Sequence, residues 1–103
     1  MTYISKVERI SPRHNFTYDG ATVNIFHANK GQGLPKHVHN YAHANMCHAG
    51  KCIVRVDDLE GGYKEYEVTK DTQPISLAPG EWHEIEALED NTVFVNVFAA
   101  GKY

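Results

Sequence analysis

The sequence has few of the features that mark several large classes of protein. It contains ten lysines and arginines against thirteen aspartates and glutamates, with a formal net charge of −3, and it has no basic cluster, so a nucleic-acid partner is not expected. No apolar run approaches the roughly 20 residues that a membrane-spanning helix needs. The charged, amphipathic first ten residues do not resemble a signal peptide. We therefore expect a cytoplasmic protein that binds neither nucleic acid nor membrane.

Cysteine is also scarce, since the chain has two, Cys47 and Cys52. They flank an Ala49-Gly50 pair that is typical of a two-residue hairpin turn, and such a hairpin would set the two thiols opposite each other. A disulfide is conceivable there. Because disulfides are rare in a reducing cytosol, we expect two free thiols that pack as small apolar side chains.

Sustained helical periodicity is missing as well. No segment repeats its apolar residues with a period near 3.6, whereas short alternating stretches are separated by turn signals about every eight to twelve residues, as in all-β sandwiches and barrels. The predicted strands outside the histidine-rich stretch lie at 1–10, 14–18, 21–28, 51–57, 63–68, 74–77, 82–88 and 92–99.

The length of 103 residues predicts a single domain, 1–103. A domain this small is marginally stable alone, so a homodimer would help it to bury more surface. The expected core residues are Val23, Ile25, Val54, Val56, Ile85, Val95 and Val97.

What the chain does have is histidine. Seven histidines in the whole chain would place about one or two in any 20 residues, but the stretch from Gly31 to Gly50 holds four. Histidine-dense tracts are typical of metal sites, and neutral imidazole is the commonest metal ligand.

The spacing within this stretch is informative. His37 and His39 lie two residues apart, so on one strand both rings project from one face. A bend at Asn40-Tyr41 and a returning strand would bring His43 opposite them. His48 falls out of phase with His43, so we expect it to face outward and not to bind metal. The two earlier histidines have no supporting spacing and are interpreted as structural; they are His14 and His27.

This spacing resembles the first sequence motif of the cupins, glycine–x5–His–x–His–x(3–4)–Glu–x6–glycine. The match begins at Gly31 and ends at Gly50, with His43 at the position where the cupins usually have glutamate. The turn Pro79-Gly80, followed by His83, resembles the second cupin motif, although that motif's final asparagine is replaced by Ala87.

The resemblance spans roughly residues 23–98 and implies a cupin-type jelly-roll β-barrel, frequently a homodimer, with a metal ion inside its mouth. The ligands that it implies are His37, His39, His43 and His83. Barrel closure would be needed to bring the last of these to the other three. The candidates for holding the second ring nitrogens are Tyr41, Asn45 and Asn96.

The native metal is left open, because Fe, Mn, Ni, Cu, Co and Zn all accept imidazole. A divalent ion with four neutral ligands keeps its full double charge, so it should favour anionic substrates. We expect a metal-dependent enzyme, of dioxygenase, isomerase or lyase type, that acts on a small oxygen-rich or anionic molecule. The alternatives are a non-catalytic cupin that serves as a sensor, carrier or accessory protein, and a metal-free structural barrel. No general base is identified, and Tyr41 and Glu84 are weak candidates.

Overall fold

The computed structural model describes residues 4–99, and within them the chain forms ten β-strands. They are β1 (Glu8–Arg9), β2 (His14–Tyr18), β3 (Ala21–Ala28), β4 (Gln32–His37), β5 (His43–Ala49), β6 (Lys51–Asp57), β7 (Tyr63–Thr69), β8 (Ile75–Leu77), β9 (His83–Ala87) and β10 (Thr92–Ala99). The all-β prediction is confirmed. This part of the chain has no helix that could cross a membrane.

The strands form two five-stranded sheets. Sheet I has the order β1-β4-β9-β6-β7, and sheet II has the order β2-β3-β10-β5-β8. β1 runs parallel to β4, while the other strand pairs within residues 4–99 are antiparallel. Since strands that follow one another along the chain often lie in different sheets, the chain crosses repeatedly between the two layers.

The first strand is shorter than predicted. Of the predicted strand at 1–10, only Glu8–Arg9 is a strand in the described range, and residues 1–3 lie outside that range. Just before it, the side chain of Val7 is buried. This segment therefore adds only a two-residue strand to the sheet, and the side chain of Val7 covers part of the apolar interior.

The connections beside the histidines differ from the predicted hairpins. β4 belongs to sheet I and β5 to sheet II, so residues 38–42 cross between sheets instead of turning back within one. β6 returns to sheet I, so the predicted hairpin at Ala49-Gly50 is wrong as well. Turn residues indicate a change of direction, but they do not specify which sheet the next strand joins. Cys47 and Cys52 are both buried and free.

The core lies between the sheets. Phe26 and Phe94 of sheet II stack with their ring centroids 4.7 Å apart, in one cluster with Val54 and Ile85 of sheet I. The prediction is correct for the buried residues Val54, Val56 and Ile85, but the other four are half-buried on the outer face of sheet II; they are Val23, Ile25, Val95 and Val97. Strands β3 and β10 carry apolar residues on both faces, so alternation alone does not identify the inner one.

Gly50 connects β5 of sheet II with β6 of sheet I and lies close to the backbone of β10. Gly50 has a φ of +75°, and a Cβ atom added there would lie 2.9 Å from the Cα atom of Thr92. Gly20 has a similar φ of +82°, but an added Cβ would meet nothing within 4 Å. The two glycines therefore share a backbone requirement and differ in steric contact.

We expect Gly50→Ala to destabilise the protein more than Gly20→Ala. The left-handed backbone costs an alanine about 1–2 kcal/mol at either position, and forced contact with the backbone of β10 adds about 1–3 kcal/mol at position 50. Urea denaturation measures both changes in the free energy of unfolding. Equal losses in the two variants would contradict the steric part of this account.

Candidate metal centre

The four predicted ligand histidines meet at one end of the space between the sheets. His37 ends β4 and is the cross-strand partner of His83, the first residue of β9. Their ring centroids are 4.3 Å apart, and those of His43 and His83 are 5.1 Å apart. The ring of His39 lies 4.5 Å from that of His37 and 5.2 Å from that of His43. Distant segments of the chain thus bring four imidazoles into contact.

The local backbone explains how His39 reaches this cluster. The pairing of β4 with β9 becomes irregular between Leu34 and His37, and the strand ends there, so His37 and His39 do not share a regular strand as predicted. His39 lies in the connection 38–42, where its carbonyl accepts a hydrogen bond of 2.8 Å from the N–H of Gly80. This bond joins the loops of the two histidine motifs directly.

Backbone carbonyls orient two of the rings. The Nδ1–H of His37 donates to the carbonyl of Pro35 at 2.6 Å, and that of His83 donates to the carbonyl of Glu81 at 2.8 Å. In each case the acceptor lies two residues upstream. Because a carbonyl only accepts, Nδ1 carries the proton and Nε2 keeps its lone pair. Fixing one nitrogen in this way is what a metal-binding imidazole requires.

The side chains predicted to hold the second ring nitrogens have other partners. Asn45 donates a hydrogen bond of 2.7 Å to Asn96. The ring of Tyr41 stacks on that of His39, with centroids 4.7 Å apart, and lies 4.8 Å from the ring of Phe98. The sequence contained no clear signal for the two carbonyl acceptors, since every residue has a carbonyl and its direction depends on the fold.

The free nitrogens of three of the rings lie close enough together to share one ion, and His43 approaches that group through His83. Potential ligand atoms of His37, His39 and His83 all lie within 4.8 Å of one another, and the Nε2 atoms of His43 and His83 are 3.2 Å apart. An ion about 2.1 Å from two neighbouring nitrogens would set them roughly 3.0–3.4 Å apart. His43 is buried, and its Nδ1 atom has no hydrogen-bond partner in residues 4–99. The histidine cluster therefore fits a divalent transition metal.

Burial keeps these imidazoles uncharged. Loss of hydration, reinforced by repulsion from neighbouring imidazoles, lowers the pKa of His43 to about 4 and that of His83 to about 3. Burial also lowers the pKa of His37 and of His39. At neutral pH the rings are neutral, so their free nitrogens are available as ligands without loss of a proton.

A cavity of about 90 Å³ lies beside the cluster. Its walls combine two of the imidazoles with aromatic, aliphatic and amide side chains from both sheets: Asn24, Phe26, Leu34, His39, Tyr41, His43, Asn96 and Phe98. No lysine, arginine or carboxylate is among these described lining residues. The cavity is thus bounded by neutral groups.

The remaining sequence candidates lie away from the centre. His14, His27 and His48 are exposed, as expected for histidines outside the motif. Glu84 is buried on the opposite face of its strand from His83, where its carboxylate pairs with Arg55 at 2.7 Å. This ion pair removes Glu84 from consideration as a general base in the cavity.

Comparison with known proteins identifies the architecture. No family model and no curated protein matches the sequence. A cupin 2 domain-containing protein from Halorhodospira halophila aligns with a TM-score of 0.72 and 18% identity over 87% of this chain and 64% of that chain. A protein with a double-stranded β-helix domain from Klebsiella pneumoniae gives 0.65 and 21% over 88% and 74%. A mutant of oxalate decarboxylase from Bacillus subtilis gives 0.65 and 21% over 87% and 28%. These likenesses confirm the predicted cupin-type fold.

The depressed pKa values predict how the metal-free protein responds to acid. In the unfolded chain imidazoles titrate near pH 6.5, whereas in the folded chain His43 and His83 titrate at about 4 and about 3. Below about pH 6.5 the unfolded state binds more protons, so the free energy of unfolding should fall as the pH drops toward about 4.

Urea denaturation of chelator-treated protein between about pH 7.5 and pH 5 measures this dependence. His83→Asn removes one buried imidazole and should make the slope shallower, while the exposed-site variant His48→Asn should keep the wild-type slope. An identical slope in all three proteins would show that the buried imidazoles do not contribute.

Proposed function

We propose that this chain, whose fold is that of the cupins, binds one divalent transition-metal ion through His37, His39, His43 and His83 and acts as a metal-dependent enzyme on a small oxygen-rich or anionic substrate. The observation that carries the proposal is the convergence of neutral imidazole nitrogens, with the Nε2 atoms of His43 and His83 3.2 Å apart. Two carbonyl-anchored rings support it, because a cluster that serves packing alone has no need of oriented lone pairs.

The donor set favours an anionic substrate. All four proposed ligands are neutral, so the double charge of the ion is not reduced by a carboxylate as it is in the common cupin set of three histidines and a glutamate. When bound, the ion would supply a Lewis acid that polarises a substrate oxygen. The protein would orient its four ligands, and the aromatic rings of Tyr41 and Phe98 would limit access of water to the cavity.

The reaction type remains part of the proposal. Dioxygenase, isomerase and lyase chemistry are all compatible with an ion that has open coordination positions. One structural neighbour is an oxalate decarboxylase, which is an enzyme, but at 21% identity that likeness establishes the fold and not the activity. The native metal, the homodimer and the cytoplasmic location also stay predictions.

A non-catalytic role as a sensor, carrier or accessory protein is the second candidate. Two features favour this role. The cavity of about 90 Å³ is small, and Glu84, a candidate general base, is paired with Arg55 on the opposite face of the sheet. In this role the same imidazoles would hold the ion, and the cavity would admit only a small ligand.

We expect the purified protein to bind one transition-metal ion per chain and His39→Ala to weaken binding at least about 100-fold. Loss of an outer partner of a ligand already costs about 10–100-fold, so loss of a ligand should cost no less. Elemental analysis after dialysis against a chelator of known affinity gives stoichiometry and affinity. His48→Ala is the matched control, because it removes an exposed histidine from the same motif. Full occupancy in His39→Ala would refute the ligand assignment.

Catalysis is tested separately from metal binding. The protein should be reconstituted with each of the six candidate metals, and oxygen consumption and product formation followed over a panel of diketones, thiols and sugar acids. Turnover with at least one metal, and its loss in His39→Ala, is the expected result. A protein that holds its ion but turns over no member of the panel would favour the non-catalytic role.

A further inference from the structure

A row of asparagines crosses sheet II beside the imidazoles. The strand register pairs Asn15 with Asn24, Asn24 with Asn96, and Asn96 with Asn45, so four neighbouring strands each contribute one amide. Asn45 follows His43 by two residues on β5, and side chains two apart on a strand share a face. The row therefore lies between the imidazoles and the stacked rings of Phe26 and Phe94.

The hydrogen bonds within the row run inward from its two ends. At one end the Nδ2 group of Asn15 donates to the Oδ1 atom of Asn24, and at the other end Asn45 donates to the Oδ1 atom of Asn96 at 2.7 Å. The oxygens of the two central amides are thus engaged by their outer neighbours. Their NH2 groups have no acceptor among the hydrogen bonds of residues 4–99, so the groups without a partner at the centre of the row are donors.

These two central amides line the same cavity as the imidazoles. Asn24, Asn96, His39 and His43 all border its volume of about 90 Å³. At about 30 Å³ per water molecule, this is room for roughly three waters, or a ligand of about three or four non-hydrogen atoms. The cavity thus has amide donors on one wall, imidazoles on another and aromatic rings around them.

The polar groups of this region are not accounted for by the protein alone. Asn45 is 0% exposed and its Oδ1 atom has no partner in the described chain, and the hydroxyl of the buried Thr22 has none either. Buried polar atoms without partners are rare and call for an explanation. Neither of these two residues lines the cavity, so the groups that could meet an acceptor there are the NH2 groups of Asn24 and Asn96.

We propose that Asn24 and Asn96 form an oxygen-binding wall that selects a short monocarboxylate, of formate or acetate size, as the ligand of this site. One carboxylate oxygen accepts hydrogen bonds from the two amides. The other would face the ion that the imidazoles hold. The inference rests on the proposed metal site, since no cationic side chain is among the described residues that line the cavity and the ion would supply the balancing charge. Asn24 and Asn96 act here as specificity-determining residues.

The test uses cobalt-loaded protein titrated with sodium acetate, with the visible absorption of the bound cobalt as the readout. Acetate should perturb the spectrum of the wild type and should not bind the metal-free protein. Asn96→Leu and Asn24→Leu keep side-chain size but remove a donor to a charged group, so each should weaken acetate binding about 10–100-fold while cobalt stoichiometry stays unchanged. Val97→Ala is the matched control, because it alters the outward face of the same strand.

The possible results distinguish failure of the amide wall from failure of the metal site. Unchanged acetate affinity in both leucine variants overturns the amide wall and leaves the metal site standing, as does a cobalt-loaded wild type that binds no acetate. Failure of the wild type to take up cobalt or any other candidate metal overturns the proposed function and this inference with it. If the leucine variants do not fold, a series from formate to butyrate on the wild type decides the question. Affinity should be at least about 10-fold weaker for carboxylates longer than acetate. Equal affinities across the series would contradict a site whose ligand size is limited by the cavity.

Discussion

The pairing of His37 with His83 is the contact on which the proposed centre depends. It joins the end of β4 to the start of β9, two strands that are far apart in the sequence, and each ring is held by the carbonyl two residues upstream. The backbone therefore fixes both where the rings lie and which nitrogen keeps a lone pair. His39 then approaches from the crossing between the sheets and His43 from the start of β5 in sheet II, so sheet I supplies the two carbonyl-held rings of the cluster.

The neutrality of the cluster follows from its burial. Four imidazoles with ring centroids about 4–5 Å apart cannot all be protonated without strong repulsion, and loss of hydration disfavours even the first charge. The hydrophobic cluster around Phe94 and Ile85 lies beneath and is complete without an ion. Stability and the proposed metal chemistry are thus carried by different layers of the same interior.

The sequence was sufficient for the fold class and for most strands, because alternation is a local property, and the histidine spacing singled out four rings that the fold brings close together. It was not sufficient for sheet membership, and so the hairpins beside His43 and Gly50 were misplaced. It did not identify the inner face of β10, since Val95 and Phe94 make both faces apolar. The asparagine row was also hidden, because its members meet only through the register of four strands.

Strand alternation also explains how a site without a carboxylate is maintained next to acidic residues. Along β9, His83 faces the cluster while Glu84 and Glu86 face the other side, where Arg55 binds them at 2.7 and 2.8 Å. A shift of β9 by one residue would exchange these faces and bring a carboxylate toward the imidazoles. It would also place an unpaired charge in the apolar interior and leave Arg55 with Glu65 of β7 as its remaining partner among these carboxylates. The ion pairs on the outer face therefore oppose this slip, and through it they help to preserve the all-nitrogen character of the proposed centre.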